Sequence, residues 1–250
     1  MRLMNFINEQ LIAARNKYAE GKKLGELEKY DRNNPEHDDP KKYLYFSTGA
    51  TVYSHTIEAI KQVKIDQPLQ MLATALHDTG KGVTLSDKKG LPTYYGHAKE
   101  SIELVNSIAD RLKMSNKERN ALLFAVGNHM KFHNILGMKT SKIVKLVNDD
   151  NWDVLVAVSF ADSASRGSSF IHAGEFEKIV DKCIKLKDKY NIKEVKKRLK
   201  LVDGNRVMEL LGLKPGPKVG KIIKEISAWV IDNDIKDTKL IDIRILEYET

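Results

Sequence analysis

The stretch ATALHDTGKG, residues 73–82, contains the most informative residues of the chain. His77 and Asp78 are adjacent in it, near the end of an apolar helical segment. Neighbouring helical residues point about 100° apart, so this pair cannot lie flat on one surface. One natural arrangement turns both side chains into a space between helices. The two glycines, Gly80 and Gly82, allow a close approach of the backbone or cap the preceding helix.

The adjacent pair belongs to an ordered series of imidazole and carboxylate side chains, namely His55, His77, Asp78, His97, His129 and Asp162. These groups are the ligands that a divalent transition metal takes where no thiolate is available. Asp162 lies inside the apolar stretch from Trp152 to Ala164, an unfavourable place for a bare carboxylate. A metal ion, or a cationic neighbour such as Arg166 one turn away, would stabilise it there.

Three other histidines, His37, His133 and His172, are interpreted as hydrogen-bonded or solvated structural residues. A lone histidine on a helix more often has that role than the role of a ligand. His133 follows His129 by four residues and could share its helix face. The ordered series is harder to explain in this way, since several independent coincidences would be required.

Helical periodicity dominates the chain. One predicted helix face is formed by Ile102, Val105, Ile108 and Leu112. Ser115, with Glu118 three residues later, matches a capping box and predicts the start of the next helix. The best candidate for a short strand is Leu240 to Leu246. These patterns predict an all-α fold.

Composition excludes several classes of protein. With 42% apolar and 30% charged residues, the chain is neither disordered nor collagen-like. Its apolar runs are too short to span a bilayer, and Met1 to Leu11 lacks the apolar core of a secretory signal, so no membrane partner is expected. Cys183 is the only cysteine, which excludes an internal disulfide and a cysteine-based metal cage. A cytoplasmic location is expected.

Positive charge is concentrated in one part of the chain. The formal net charge is +8, and residues 171–224 alone contain 15 Lys and Arg against 7 Asp and Glu, a local balance of +8. Such a segment attracts polyanions through counterion release. A solvated, lysine-rich helix face would show the same composition, and the two interpretations stay open.

Breaks in the helical pattern fall at 33–40, 86–95 and 166–174. We therefore expect three parts. They are an N-terminal helical arm at 1–45, a central domain at 46–170 and a basic C-terminal helical region at 171–250.

Three motifs of the central domain are YGHAKES at 95–101, ADSASRG at 161–167 and the stretch 73–82. Together they resemble the HD domain, a metal-dependent phosphohydrolase domain, of the bacterial multifunctional tRNA nucleotidyltransferases. DGNRVMELLGLKPGPKVG at 203–220 resembles the tail motif of these CCA-adding enzymes. The resemblance implies an all-α HD helical bundle followed by a helical tail region. No glycine-rich opening with a paired-aspartate strand precedes the HD region, so the chain is not expected to add CCA by itself.

The resemblance also implies roles for individual residues. The metal ligands are His55, His77, Asp78 and Asp162, and the catalytic residues are Asp78, Lys81, His97 and His129. The substrate contacts are Lys81, His97, His129 and Arg166, and the RNA contacts in the tail are Lys214, Lys218 and Lys221. One or two divalent ions per chain are implied, with manganese, nickel, cobalt, magnesium and iron as open choices.

The implied activity is that of a 2′,3′-cyclic phosphodiesterase and phosphatase. Its substrates are the terminal phosphates of RNA, of tRNA 3′ ends or of nucleotides, as in RNA end repair. Two alternatives stay open. An HD enzyme of another nucleotide (a nucleoside monophosphate, a cyclic oligonucleotide or an alarmone) would use the same ligands, and only the tail favours RNA. A non-catalytic tRNA-binding subunit would not need the complete ligand series.

Overall fold

The computed structural model describes residues 52–88, 91–165 and 175–249, and this part of the chain is all-α apart from one small hairpin. The helices are α1 (Val52–Ile60), α2 (Pro68–Leu76), α3 (Lys81–Thr84), α4 (His97–Arg111), α5 (Asn116–His133), α6 (Thr140–Val147), α7 (Trp152–Ser165), α8 (Glu175–Lys189), α9 (Ile192–Leu199), α10 (Gly204–Leu211), α11 (Pro217–Asp232) and α12 (Thr238–Leu246). Short 3-10 turns occupy Ile135–Gly137 and Glu247–Glu249.

The chain divides into two compact units. Unit 1 comprises residues 1–134 and 150–178, of which the structure describes the part from residue 52 with the gaps given above. Unit 2 comprises residues 135–149 and 179–250. The segment that contains α6 therefore belongs to unit 2, although it lies between two helices of unit 1 in the sequence.

The centre of unit 1 is α7, which is buried along almost its whole length. It packs against α1, α2 and α5. Phe132 of α5 contacts Trp152 and Phe176, with ring centres 5.9 and 5.3 Å apart. A helix that is apolar on all sides must be enclosed by its neighbours. This enclosure carries Asp162, on the same helix, into the interior of the unit.

Local sequence signals set the helix ends that matter for unit 1. Ser115 and Glu118 form the predicted capping box, in which each satisfies a backbone N–H of the other. Gly96, with φ of +82°, adopts the left-handed conformation that favours glycine and directs the chain into α4. His97 is consequently the first residue of α4, as its place in the sequence predicts.

Unit 2 has its own apolar core, formed by Val202, Val207, Val219, Ile222, Ile226, Val230, Ile241 and Ile245. A second cluster joins Val144 of α6 to Tyr190 and Ile231. The backbone N–H of Ser141 donates to Oδ1 of Asp232 at 2.7 Å. These contacts bind α6 to the C-terminal helices of the same unit.

The structure differs from two of the secondary-structure predictions. The strand predicted from Leu240 to Leu246 is wrong, because this segment lies in α12. Asp237 accepts a hydrogen bond from the backbone N–H of Lys239 and caps that helix. The predicted break at 86–95 contains an antiparallel hairpin, with β1 at Ser86–Lys88 and β2 at Leu91–Thr93. The predicted arm at 1–45 and the breaks at 33–40 and 166–174 lie outside the described residues.

None of the helices in the described part of the chain combines the length and the apolar character that crossing a bilayer demands.

Candidate metal centre

The helices of unit 1 bring the six residues of the ordered series together. His55 comes from α1, His97 from α4, His129 from α5 and Asp162 from α7. His77 and Asp78 follow the last residue of α2. All six are buried. Side chains from separate helices thus meet in one place.

Three of the histidines are held in the same way. Nδ1 of His77 lies 2.6 Å from the carbonyl oxygen of Thr74, Nδ1 of His97 lies 2.9 Å from that of Tyr94, and Nδ1 of His129 lies 2.7 Å from that of Val126. A carbonyl oxygen only accepts, so Nδ1 must carry the proton in each ring. In its neutral form, each of the three rings therefore presents the lone pair of Nε2 to the centre of the site.

His55 is oriented by a hydroxyl instead. Oγ of Ser165 donates to the carbonyl oxygen of Asp162 at 2.8 Å, so it accepts from Nδ1–H of His55 at 3.0 Å. Nε2 of His55 then faces Oδ1 of Asp162 at 2.9 Å. A lone pair and a carboxylate oxygen at this distance repel each other unless a cation or a proton lies between them.

The ligand atoms form two groups that share Asp78. The first group is His55, His77 and Asp78, and the second is Asp78, His97 and His129. Within each group the ligand atoms lie within 4.8 Å of one another. Nε2 of His77 lies 3.2 Å from Oδ2 of Asp78, and Nε2 of His97 lies 3.3 Å from Oδ1. Oδ1 of Asp162 lies 3.7 Å from Nε2 of His77, beside the first group.

Electrostatics divides the histidines into one cation and several neutral bases. Burial disfavours the charged form of His77, but the carboxylates of Asp78 and Asp162 outweigh it and raise the pKa of His77 to about 10. Burial, followed by the charge of His77, lowers the pKa of His129 to about 3. Burial also lowers the pKa values of His55 and His97.

A divalent ion fits this set of donors. Imidazole nitrogens and carboxylate oxygens converge there in a buried space. The neutral rings of His97 and His129 carry no proton on Nε2, and an ion bound beside His77 would displace the Nε2 proton of that ring. Among the described residues, neither Nε2 of His77 nor Oδ1 of Asp78 has a hydrogen-bond partner. Buried polar atoms of this kind are rare and call for an explanation. The structure thus contains candidate metal-binding groups that draw on histidine and aspartate.

Lys81 lies at the edge of this set. Its ammonium donates to Oδ2 of Asp78 at 2.7 Å, and its side chain is almost fully buried. Burial tends to raise the pKa of Asp78, but His77 first and Lys81 after it hold that pKa well below its usual range. The carboxylate of Asp78 therefore stays ionised between two cations.

The two glycines of the 73–82 stretch differ in role. A Cβ atom built on Gly80 would lie 2.1 Å from the carbonyl oxygen of His97 and 2.6 Å from the backbone nitrogen of Ser101. The N–H of Gly80 donates to Oγ of Ser101 at 2.8 Å. Gly82 has nothing within 4 Å of the same position. The predicted close approach of the backbone therefore occurs at Gly80 and not at Gly82.

His133 contacts the site, although the sequence analysis set it apart from the ordered series. Its Nε2 lies 2.7 Å from Oδ2 of Asp162. The sequence feature that could have identified His133 is its spacing of four residues from His129, which places both rings on one face of α5. Of the other predicted residues, Arg166 lies outside the described residues, as do His37 and His172.

The lysines predicted to contact RNA lie in unit 2. Lys214 precedes α11, and Lys218 and Lys221 lie in its first turns. All three side chains are exposed. Pro217 is the first residue of α11, a position that proline favours. Asp232, Asn233 and Asp234 lie at the end of the same helix.

The chain is similar to proteins whose names refer to CCA or to tRNA. It is 33% identical to the multifunctional CCA protein of Shewanella denitrificans over 101 residues, which cover 39% of this chain and 24% of the relative. It is 36% identical to the multifunctional CCA protein of Janthinobacterium sp. (strain Marseille) over 85 residues, which cover 34% of this chain and 20% of the relative. The A-adding tRNA nucleotidyltransferase of Deinococcus radiodurans is 27% identical over 184 residues, or 70% of this chain and 42% of the relative.

The chain is thus homologous to these proteins over 34 to 70% of its length, while the matches span only 20 to 42% of the relatives' own length. No protein-family profile matches the chain, and no solved structure matches it.

Proposed function

We propose that this protein is a metal-dependent phosphohydrolase of the HD type, with 2′,3′-cyclic phosphodiesterase and phosphatase activity. Its substrates in this proposal are the terminal phosphates of RNA, of tRNA 3′ ends in particular, or of nucleotides. The observation that carries the proposal is the convergence of His55, His77, Asp78 and Asp162 in one buried place.

In this proposal these four residues hold a divalent ion. Once bound, a divalent ion withdraws charge from a phosphoryl oxygen and lowers the pKa of water toward neutrality. The geometry of the second group, in which Asp78 is shared with His97 and His129, is compatible with one ion or two. His133 acts as a positioning residue, since it holds Oδ2 of Asp162.

The chain's own residues supply the remaining chemistry. Hydrolysis of a cyclic phosphate forms one bond from water oxygen to phosphorus and breaks one bond from phosphorus to a ribose oxygen. Burial lowers the pKa of His97, so its ring is neutral at pH 7 and its Nε2 accepts the proton of the attacking water. Lys81 provides positive charge for the phosphate at the edge of the site.

The RNA part of the proposal has separate support. The relatives named above carry names that refer to tRNA or to CCA. The tail stretch 203–220 resembles the tail motif of CCA-adding enzymes. Residues 171–224 also concentrate the positive charge of the chain. Both features favour RNA over other phosphorylated substrates.

The test is an assay of the full chain with manganese, nickel, cobalt or magnesium. The substrates are 2′,3′-cyclic AMP, 2′-AMP, 3′-AMP, a cyclic dinucleotide and an RNA oligomer that ends in a cyclic phosphate. We expect Asp78→Asn to abolish turnover and metal binding, the latter measured by elemental analysis, while circular dichroism stays helical. Asp153→Asn is the matched control, because Asp153 is exposed at the start of α7.

Each result has a defined meaning. Turnover of the cyclic dinucleotide without turnover of RNA ends would move the assignment to another HD substrate. If the chain binds no metal and hydrolyses none of these substrates, the phosphohydrolase proposal is wrong and the non-catalytic tRNA-binding subunit takes its place.

A further inference from the structure

Unit 2 contains a cavity of about 850 Å³ that the proposed chemistry does not use. It is lined by α6, α11 and the C-terminal helix α12 with the turn after it. Five cationic residues border it, and they are Lys139, Lys142, Lys145, Lys224 and Arg244. All of them belong to the same compact unit.

Most of this positive charge is not neutralised. Within the described residues, no ion pair is formed by the four lysines at the cavity. Two acidic residues also belong to the lining. Asp232 accepts from the N–H of Ser141 at 2.7 Å, and Glu225 accepts from the hydroxyl of Tyr248 at 2.8 Å. Because five cations face two carboxylates in the lining, the cavity presents a net positive potential to a ligand.

An aromatic ring lies among these cations. Trp229 is partly buried in the wall of the cavity, and the guanidinium of Arg244 lies 5.9 Å from its ring centre. Arg244 also pairs with Glu247. A flat ring next to several lysines is the combination by which proteins hold single-stranded nucleic acid, with a base on the ring and phosphates on the cations.

We propose that this cavity binds a segment of single-stranded nucleic acid, with one base against Trp229 and neighbouring phosphates against Lys142, Lys145 and Lys224. Its volume lies toward the upper end of the range of about 300–1,000 Å³ found for small-molecule pockets. Its cations are spread over α6, α11 and α12, which suits a chain of phosphates better than a single one.

The charge continues beyond the cavity along α11. Lys221 lies one turn before Glu225, and Lys218 lies almost one turn earlier. A strand that leaves the cavity in this direction meets two of the lysines predicted from the sequence to contact RNA. The site is distinct from the histidine–aspartate set of unit 1, and it does not depend on metal chemistry.

The test measures binding of a fluorescein-labelled, adenine-rich RNA 12-mer to the full chain by anisotropy over a range of salt concentrations. The triple variant Lys142→Gln, Lys145→Gln, Lys224→Gln should lower the slope of log affinity against log salt by about 2, because each phosphate contact to a single strand contributes about 0.7. The matched control replaces Lys193, Lys200 and Lys239, which are exposed in the same unit and do not line the cavity. This control has the same net charge and should keep most of the slope.

Trp229 is tested separately. Trp229→Leu should weaken binding about 5- to 100-fold, whereas Trp229→Phe, which keeps a ring, should retain most of the affinity. RNA should quench the tryptophan emission of the wild-type chain and leave that of Trp229→Phe unchanged, because the other tryptophan, Trp152, is buried in unit 1. Thermal unfolding followed by circular dichroism checks that each variant is folded.

Three results would overturn the proposal. The two triple variants could bind RNA equally, the emission of Trp229 could stay unchanged on saturation, or AMP could compete as tightly as the 12-mer. The variant Asp78→Asn should bind the 12-mer as the wild-type chain does. Loss of RNA binding in that variant would instead place the strand at the metal centre, so failure of this site and failure of the proposed hydrolase are told apart.

Discussion

Replacing Gly80 by alanine should disrupt the candidate metal centre without touching any of its ligands. The added Cβ would lie 2.1 Å from the carbonyl oxygen of His97, a backbone atom that cannot rotate away. Non-bonded carbon contacts settle near 3.5 Å, so the chain at Gly80 and the start of α4 must separate by about 1.4 Å. Because His97 is the first residue of α4, its ring would move with the backbone.

The expected cost can be derived from these contacts. Overpacking a close-packed interior costs about 1–3 kcal/mol. The separation also weakens the hydrogen bond from Gly80 N–H to Oγ of Ser101, whose net contribution is about 0.5–1.5 kcal/mol. We expect Gly80→Ala to lower the free energy of unfolding of unit 1 by roughly 2–4 kcal/mol. Metal affinity should fall at least about tenfold, as it does when groups that orient metal ligands are lost.

Urea unfolding in a Trp229→Phe background measures the loss of unfolding free energy, because tryptophan emission then comes from Trp152 in unit 1 alone. Titration with manganese or zinc measures the change in metal affinity. Gly82→Ala is the control, since nothing lies within 4 Å of its new Cβ, and alanine in a helix should be neutral or stabilise by up to about 1 kcal/mol. Equal unfolding midpoints and equal metal affinity for the two variants would refute the reasoning.

Three further results are expected. His133→Ala should lower metal affinity about 10- to 100-fold with little loss of helix content, measured by metal titration and circular dichroism, because it removes the hydrogen bond that orients Asp162. Cys183 should react with a thiol reagent at pH 8 only after unfolding, since burial outweighs the charge of Lys182 and raises the pKa of its thiol to about 12. Asp234→Asn should make the stability of unit 2 less sensitive to acid, measured by Trp229 emission, because the native pKa of Asp234 is depressed.

The sign of the acid effect follows from the partners of Asp234. The ammonium of Lys189 first, and the hydroxyl of Tyr190 after it, hold the pKa of this carboxyl well below its usual range. A depressed carboxyl pKa stabilises the fold above the unfolded value of about 4, and this contribution is lost as the pH falls through the native pKa. An identical loss of stability from pH 6 to pH 2 in wild type and variant would contradict this assignment.

Controls for the other two predictions are available in the same chain. His133→Gln keeps a hydrogen-bond donor and should retain more metal affinity than His133→Ala. Equal affinities of both variants with the wild-type chain would mean that His133 does not position Asp162. For Cys183, reaction at the same rate before and after addition of urea would show that the thiol is accessible in the folded chain.

The candidate metal centre could be predicted from the sequence because its residues carry strong local signals. Asp162 stands out as a carboxylate in an apolar helix, and His97 follows Gly96, the residue that caps the start of α4. His133 was missed because a histidine four residues after another is equally consistent with a solvated helix face. Only the position of α7 opposite α5, which depends on long-range packing, shows that this histidine meets Asp162.

The C-terminal segment shows where periodicity misleads. Ile241, Ile243 and Ile245 alternate with polar residues, and alternating β-branched residues favour a strand. In the structure Ile241 and Ile245 are buried in the core of unit 2 while Ile243 is exposed, which is the spacing of a helix face. The cap at Asp237 was the local signal for a helix, and packing against α10 and α11 decides the outcome.

Unit 2 is built from two segments that are separated in the sequence, and this has a consequence for folding during synthesis. α6 leaves the ribosome well before Tyr190 and Ile231, the residues that cover Val144, have been made. At a translation rate of about 5–20 residues per second, this apolar face stays uncovered for a period on the order of seconds to tens of seconds. The nascent chain therefore exposes this apolar face while the helices around the histidines can already pack together. A chaperone that binds exposed apolar segments during synthesis would accordingly be expected to act on α6.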